Sequence, residues 1–300
     1  MSRRITCFGE VLWDLLPTGK VAGGAPMNVA FHLQNLGFPA SMVSQVGKDQ
    51  LGDELLDFLN KHGIGTDFIA ADQQLPTGTV HVQLDKQGMP SYEITKQVAW
   101  DNIRIENDIL DSVKEADALV FGSLACRSDQ SRQTLLELAK VAPFRIFDVN
   151  LRAPFYSKQV IETLLSVADV LKLNDEELNI IAGWYLKSFT EDNAMAFLMD
   201  RFQLETVIVT KGSEGATCLS DGKVYRHPGF SVQVADTVGS GDAFLAAFVK
   251  KLFDWSGMQP SLEFACAMGA LVATHKGGTP RISEKMVLDF IQSQKASTSV

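Results

Sequence analysis

The feature that most constrains this chain is an alternation of short, strongly apolar runs with amphipathic helical segments, repeated over most of its length. Ala118-Leu119-Val120-Phe121-Gly122, Arg145-Ile146-Phe147-Asp148-Val149, Val170-Leu171-Lys172-Leu173 and Thr206-Val207-Ile208-Val209-Thr210 read as strands. Runs this short and this rich in β-branched and aromatic residues suit a sheet covered on both faces. Between them, residues 131–141, 160–167, 192–202 and 243–253 place apolar side chains at helical spacing. The pattern predicts an α/β fold with a mostly parallel central sheet and helices on both faces.

Two stretches, 7–24 and 77–94, break the alternation and look like strands and turns without helices. The second carries alternating Val80, Val82 and Leu84 ahead of a turn-like Asp85-Lys86-Gln87-Gly88. They predict a small β appendage, from about residues 10–24 and 76–100, acting as a lid on a single domain spanning 1–300. There is no internal repeat or long linker, and the polar tail 293–300 reads as disordered.

Composition narrows the function. With 46% hydrophobic and 21% charged residues the chain can bury a large core. Its 27 Lys and Arg against 36 Asp and Glu give a net charge of −9, which disfavours nucleic acid as a partner and requires any anionic ligand to be gripped locally. Cys7, Cys126, Cys218 and Cys266 are far apart, without a C-x-x-C pair or a histidine at zinc spacing, so a reducing, cytoplasmic setting is expected. Arg3 and Arg4 precede a run broken by Gly9, Glu10 and Asp14, unlike a signal peptide, and no stretch approaches the roughly 18 apolar residues of a membrane span.

The most informative segment is Asp236-Thr237-Val238-Gly239-Ser240-Gly241-Asp242, leading into the helical Ala243-Phe244-Leu245. Small residues at Gly239, Ser240 and Gly241 let backbone N–H groups converge on an anion at a helix N-terminus. A loop with an Asp cap would explain Asp242 alone, but not the two glycines and the second Asp. There is no Walker A motif, no dinucleotide G-x-G-x-x-G after a strand and no protein-kinase set.

Taken with Gly23-Gly24-Ala25-Pro26-Met27-Asn28, this segment resembles the ribokinase or PfkB family of carbohydrate kinases. Further matching motifs follow in the family's order: Gly9-Glu10 with Asp14, Asn174-x-x-Glu177, and Thr210-Lys211-Gly212. The matches run from about residue 5 to residue 281. Gly9-Glu10-Val11-Leu12-Trp13-Asp14 before Pro17, and Phe121-Gly122-Ser123-Leu124-Ala125, are most similar to fructokinases. The resemblance implies a ribokinase-like sandwich with a β lid, and ATP-dependent phosphorylation of a sugar hydroxyl. The alternatives are a relative acting on ribose, 2-keto-3-deoxygluconate or a nucleoside, or a binding protein that keeps the fold without the chemistry.

By the same resemblance Asp242 is the catalytic base, with the Gly239, Ser240 and Gly241 amides stabilising the transferring phosphoryl group. At an ordinary carboxylate pKa of about 3.9, Asp242 would be ionised at neutral pH. Asp14 and Asn28 become sugar contacts, Gly23 and Gly24 let the ring approach the backbone, and Arg152 falls in an Asp148-x-Asn150-x-Arg152 run of the active site. Singly, Asp14 reads equally as a turn residue and Asn28 as a helix start. Asn174 and Glu177 are expected to organise Mg²⁺ through water, or to be an acidic first helical turn.

Thr210, Gly212 and Gly278 correspond to nucleotide contacts, and Lys211 either adds local charge or is a solvated surface lysine. The 276–280 loop resembles the segment that closes over adenine, and Asp236 and Val238 the carbonyl ligands of a monovalent cation, K⁺ in many relatives. Cys266 stands where relatives often carry Asn near the base, and reads as a small buried apolar residue. Trp13 and Trp100 adjoin the lid and read as pocket walls or as packing residues. The histidines are scattered singly. An apolar lid face bearing Val80, Val82 and Leu84 calls for a cover, which predicts a homodimer through the lid.

Overall fold

The structure is a computed structural model that describes residues 3–84, 90–105 and 108–298. The turn expected at 85–88 and the side chains of Val82 and Leu84 lie outside the described residues.

Among the described residues the strands form two sheets. The larger has nine strands: β1 (Ile5–Phe8), β4 (Ala40–Gly47), β5 (Gly65–Asp72), β8 (Ala118–Gly122), β9 (Arg145–Asp148), β10 (Val170–Asn174), β11 (Thr206–Thr210), β12 (Ala216–Ser220) and β13 (Lys223–His227). They run in the order β13-β12-β11-β10-β9-β8-β1-β4-β5, parallel except for the two antiparallel pairings that bring in β12 and β13. The smaller sheet joins β3 (Gly19–Gly23), β2 (Leu12–Leu16), β6 (Gly78–Leu84) and β7 (Pro90–Ile94) in the order β3-β2-β6-β7, and only its β2–β6 pairing is parallel.

The alternation of side chains along each strand divides the core in two. On one face of the large sheet Ile5, Cys7, Val120, Ile146, Val170 and Ile208 pack with α1 (Ala25–Asn35), α2 (Gln50–Lys61), α8 (Ser240–Phe253), α9 (Met258–Ala273) and α10 (Glu284–Thr298). On the other, Phe8, Leu119, Phe121, Phe147, Leu171 and Val207 pack with α3 (Ile109–Glu115), α4 (Asp129–Val141), α5 (Lys158–Leu165), α6 (Asp175–Gly183) and α7 (Glu191–Phe202). The covered, mostly parallel sheet expected from the sequence is present, and so is the separate small sheet. No described helix is long and apolar enough to cross a membrane.

The polar tail departs from expectation, because α10 continues to Thr298. Val287 and Ile291 are buried on this helix and anchor it, and the Gln, Lys and Ala residues beyond them are good helix formers that extend it.

Candidate active site

A cavity of about 540 Å³ opens where the C-terminal ends of the parallel strands meet the small sheet, the place at which open α/β sheets gather ligands. Glu10 follows β1, Leu124 follows β8, Asn150 and Arg152 follow β9, Asn174 ends β10 with Glu177 beyond it, and Thr210 ends β11; all line the cavity. The small sheet contributes Leu12, Asp14, Val80 and Ile94. Gly24, Ala25 and Asn28 at the start of α1, Lys172 of β10, and Thr237, Val238, Gly239, Gly241 and Asp242 at the start of α8 complete the wall.

That wall is shaped by its backbone. Gly239 caps α8 in the left-handed region at φ 75°, and a Cβ there would lie 2.5 Å from Gly278 Cα, so only glycine fits. The Ser240 N–H closes the turn onto the Thr237 carbonyl at 3.2 Å, while those of Gly239, Gly241 and Asp242 have no acceptor among the described residues. The free amides are therefore these three rather than the expected Gly239, Ser240 and Gly241. They stand at the positive end of a 14-residue helix, which suits an anion. The Ser240 hydroxyl, buried there, is also without a partner.

Asp242 sits in the first turn of α8, and its Oδ2 accepts a hydrogen bond from Asn28 Nδ2 at 2.8 Å. Burial and the Asp148 carboxylate raise its pKa to about 6, against the opposing pull of Lys172, Asn28 and Arg152. This corrects the expectation of an ordinary carboxylate: Asp242 remains mainly ionised at neutral pH but is a stronger proton acceptor than a solvated aspartate.

Lys172 is 6% exposed, and its ammonium donates to Asp148 Oδ1 at 2.9 Å and Oδ2 at 3.1 Å. The two residues are register partners on β10 and β9. Burial alone would lower the Lys172 pKa, but the Asp148, Glu177 and Asp242 carboxylates outweigh it and hold the ammonium above its ordinary value.

On the small-sheet side, Gly23 does not line the cavity itself; a Cβ on it would sit 2.5 Å from Asp14 Oδ2, so it makes room for that carboxylate. Gly24 lines the cavity at φ 115°, where a Cβ would meet the Glu10 carbonyl at 2.3 Å. Burial lifts Asp14 to about 6 and Glu10 to about 7, both opposed by Arg152. The Glu10 Oε1 accepts the Ala25 N–H at the start of α1, and its Oε2 has no partner. Three carboxylates, Glu10, Asp14 and Asp242, thus share one guanidinium.

Asn174 and Glu177 form a reciprocal capping box on α6, with Asn174 Oδ1 taking the Glu177 N–H at 2.8 Å and Glu177 Oε2 the Asn174 N–H at 2.9 Å. Glu177 Oε1 also takes the Leu151 N–H at 2.7 Å. The helix-start reading is therefore realised, and both residues still face the cavity with spare lone pairs. No group of three His, Cys, Asp or Glu among the described residues is placed to cage a metal.

Asp236 ties two loops together: its Oδ1 accepts the Val238 N–H and its Oδ2 the Gly277 N–H, each at 3.0 Å. Val238 lines the cavity, whereas Asp236, Gly212 and Gly278 do not. Lys211 is neither free charge nor solvated: its ammonium bonds Glu191 at 3.1 Å and Thr217 at 2.9 Å, away from the cavity. Cys266 is buried, which pushes its thiol up to about 12. Neither tryptophan walls the cavity. Trp13 donates to the Leu51 carbonyl, and Trp100 is fully buried beneath the Arg127 guanidinium, so packing explains both.

In the sequence Lys172 reads only as part of a strand and Glu10 only as part of the Gly9-Glu10 motif, neither with a role of its own. The signal for Lys172 was visible in retrospect as a charged residue in the middle of an apolar strand, a position that burial tolerates only with a partner. Glu10 is marked by its motif, but its burial carries no local sign, because it depends on α1 closing over it.

Comparison with known proteins agrees with this geometry. A profile described as "pfkB family carbohydrate kinase" matches residues 6–285. The fructokinase of Escherichia coli is 29% identical over 297 residues, covering 92% of this chain and 95% of its own. Fructokinase-2 of Solanum habrochaites is 29% identical over 309 residues, covering 93% and 92%. The crystal structure of a fructokinase from Xylella fastidiosa with bound ATP superposes with a TM-score of 0.88 at 27% identity, covering 98% of this chain and 100% of that one. Since the family match takes in both sheets and every wall of the cavity, the chain belongs to the pfkB family of carbohydrate kinases and is a sugar kinase.

Proposed function

We propose that this enzyme transfers the γ-phosphoryl group of ATP to a hydroxyl of a neutral sugar, fructose above all, giving fructose 6-phosphate and ADP. The observation that carries the reading is the meeting, in one cavity, of the Asp242 carboxylate with the unpaired amides at the start of α8. Asp242 accepts the proton of the attacking hydroxyl, the sugar oxygen bonds to the γ-phosphorus, and ADP departs with the electrons of the broken P–O bond. The amides of Gly239, Gly241 and Asp242 hold the charge on the phosphoryl oxygens. Asp14, Asn28 and Arg152 fix the sugar, and Thr210, Gly212 and Gly278 flank the nucleotide.

Fructose comes from the fructokinase relatives. The electrostatics favour the same class, because the lining carboxylates Glu10, Asp14, Glu177 and Asp242 outnumber Arg152 and Lys172 and would repel an acidic sugar such as 2-keto-3-deoxygluconate. Mg²⁺ fits the hard oxygen donors of Glu177 and Asn174, which would hold its water shell while the phosphates supply the remaining ligands and the metal shields their charge. The Asp236 and Val238 carbonyls are proposed as K⁺ ligands. The small sheet, placed over the sugar side, acts as the lid that excludes water and pairs with a second copy.

A coupled ADP-release assay over fructose, ribose, 2-keto-3-deoxygluconate and a nucleoside tests the substrate. Fructose should give the highest kcat/KM; a higher value for any other member of the panel overturns the fructose assignment, and ATP-dependent turnover of none of them overturns the catalytic reading.

A further inference from the structure

Helix α1 reaches the anion loop twice from one face. Asn28 and His32 are four residues apart, so their side chains project in the same direction. Asn28 holds Asp242, whereas His32 is turned away from the cavity and is 0% exposed. Its Nε2 lies 2.8 Å from the Gly278 carbonyl. A carbonyl only accepts, so Nε2 carries the proton and the ring is the Nε2–H tautomer. Burial lowers the His32 pKa to about 4, which keeps the ring neutral at working pH, and Nδ1 is left without a partner. The histidine therefore makes one hydrogen bond, to a loop residue 246 positions away.

Gly278 is the residue against which Gly239 packs. A Cβ on Gly239 would lie 2.5 Å from Gly278 Cα and 2.6 Å from its oxygen, and a Cβ on Gly278 would lie 3.3 Å from Asn28 Nδ2. The backbones of the two loops touch, so a shift of 277–278 reaches Gly239 and the amides that follow it. Two bonds hold that loop: Gly277 N–H to Asp236, and Gly278 carbonyl to His32. The first is internal to the two loops, and the second ties 277–278 to α1, as Asn28 ties Asp242.

We infer that His32 is a positioning residue for phosphoryl transfer: by bonding the Gly278 carbonyl it presses the 277–278 segment against Gly239 and keeps the amide loop of α8 in its anion-binding shape. The inference rests on the reading of that loop as the phosphoryl site. It touches neither sugar nor nucleotide itself, and its loss should be felt on the nucleotide side first.

The test compares His32→Leu, His32→Asn and His32→Gln. Leu removes the donor, Asn keeps polarity but is too short to reach Gly278, and Gln can return an N–H to the same place. For Leu and Asn, KM for ATP should rise about tenfold, as expected for leaving one buried carbonyl unpaired, with a fall in kcat and KM for the sugar within about threefold. Calorimetric titration with ATP should show the same weakening without turnover. Gln should recover both values to within about threefold of the parent.

An unchanged ATP KM and kcat in a folded His32→Asn, with only the melting temperature lowered, would reduce His32 to a packing residue and overturn the inference. So would a rise confined to the sugar KM. If His32→Leu fails to fold, the Asn and Gln pair still decides the matter. The two proposals fail separately: an Asp242→Asn enzyme with normal turnover defeats the catalytic reading, whereas an inactive Asp242→Asn beside an unperturbed His32→Asn defeats this one alone.

Discussion

On the α8 side of the cavity, the groups facing a substrate are three backbone amides and one carboxylate, and each is held by contacts behind it. Gly239 is wedged against Gly278, Asp242 is bonded to Asn28, and Lys172 with Asp148 stands beside Gly241. On the small-sheet side, Leu12, Asp14, Val80 and Ile94 project from paired strands, with Leu12, Val80 and Ile94 packed on one another and Asp14 set against Gly23. The first wall tolerates almost no change because its shape is its backbone. The second is a set of side chains that can be exchanged on an unchanged scaffold. On the reading proposed above, the chemistry lies on the first wall and the choice of sugar on the second, and each of the following substitutions tests that division.

The largest effect is expected from Asp242→Asn, which keeps the Asn28 contact geometry and removes the base. Turnover should fall by about 10²- to 10⁴-fold, the usual contribution of a positioned base, while ATP still binds. Single-turnover assays with matched ATP titrations measure both. Near-normal turnover would move the chemistry off this wall altogether. Gly239→Ala should follow, with a loss of about 10²-fold or more in kcat, because its Cβ collides with backbone and φ 75° is strained for alanine. If the loop were only a helix cap, this variant would lower the melting temperature and leave kcat per folded molecule intact.

What could be read from the sequence follows the same division. The loop 236–242 is legible because amide convergence demands particular residues, glycine above all, at adjacent positions. The strand alternation is legible because burial on both faces leaves few sequence solutions. The Asp148–Lys172 pair is not local: the residues are 24 apart and meet only because β9 and β10 are neighbours in that register. Glu10 is likewise buried by a helix that starts 15 residues later. Asn174 and Glu177 carried two meanings, helix cap and cation site, and the fold satisfies the first without spending the lone pairs the second needs. The sugar wall is least legible because Val80 and Ile94 look like any half-buried strand residues.

Asp14→Asn probes that second wall. It removes a charge from the sugar side without touching the amide loop, so KM for fructose should rise by about tenfold while KM for ATP stays within about threefold. A kcat loss comparable with that of Asp242→Asn would break the division between walls, since it would place chemistry on the small-sheet side.

The smallest effect, and the most specific, concerns the pH profile. In the free enzyme Asp242 must be unprotonated to act as base, and with its pKa at about 6 the value of kcat/KM should rise through an acid limb near that pH. The Asn28 N–H stabilises the charged carboxylate, so Asn28→Ala should raise the Asp242 pKa and move the limb toward neutral pH. Glu10 titrates close by, at about 7, raised in part by the Asp242 charge; it is mainly protonated where Asp242 titrates, so Glu10→Gln should leave the limb near pH 6. A limb displaced in Asn28→Ala and unmoved in Glu10→Gln, with plateaus reached well above it in both, would identify the titrating group as Asp242. A limb that stays in place in both variants would mean that another group controls the acid side, and that the contacts behind the α8 wall set its shape without setting its protonation.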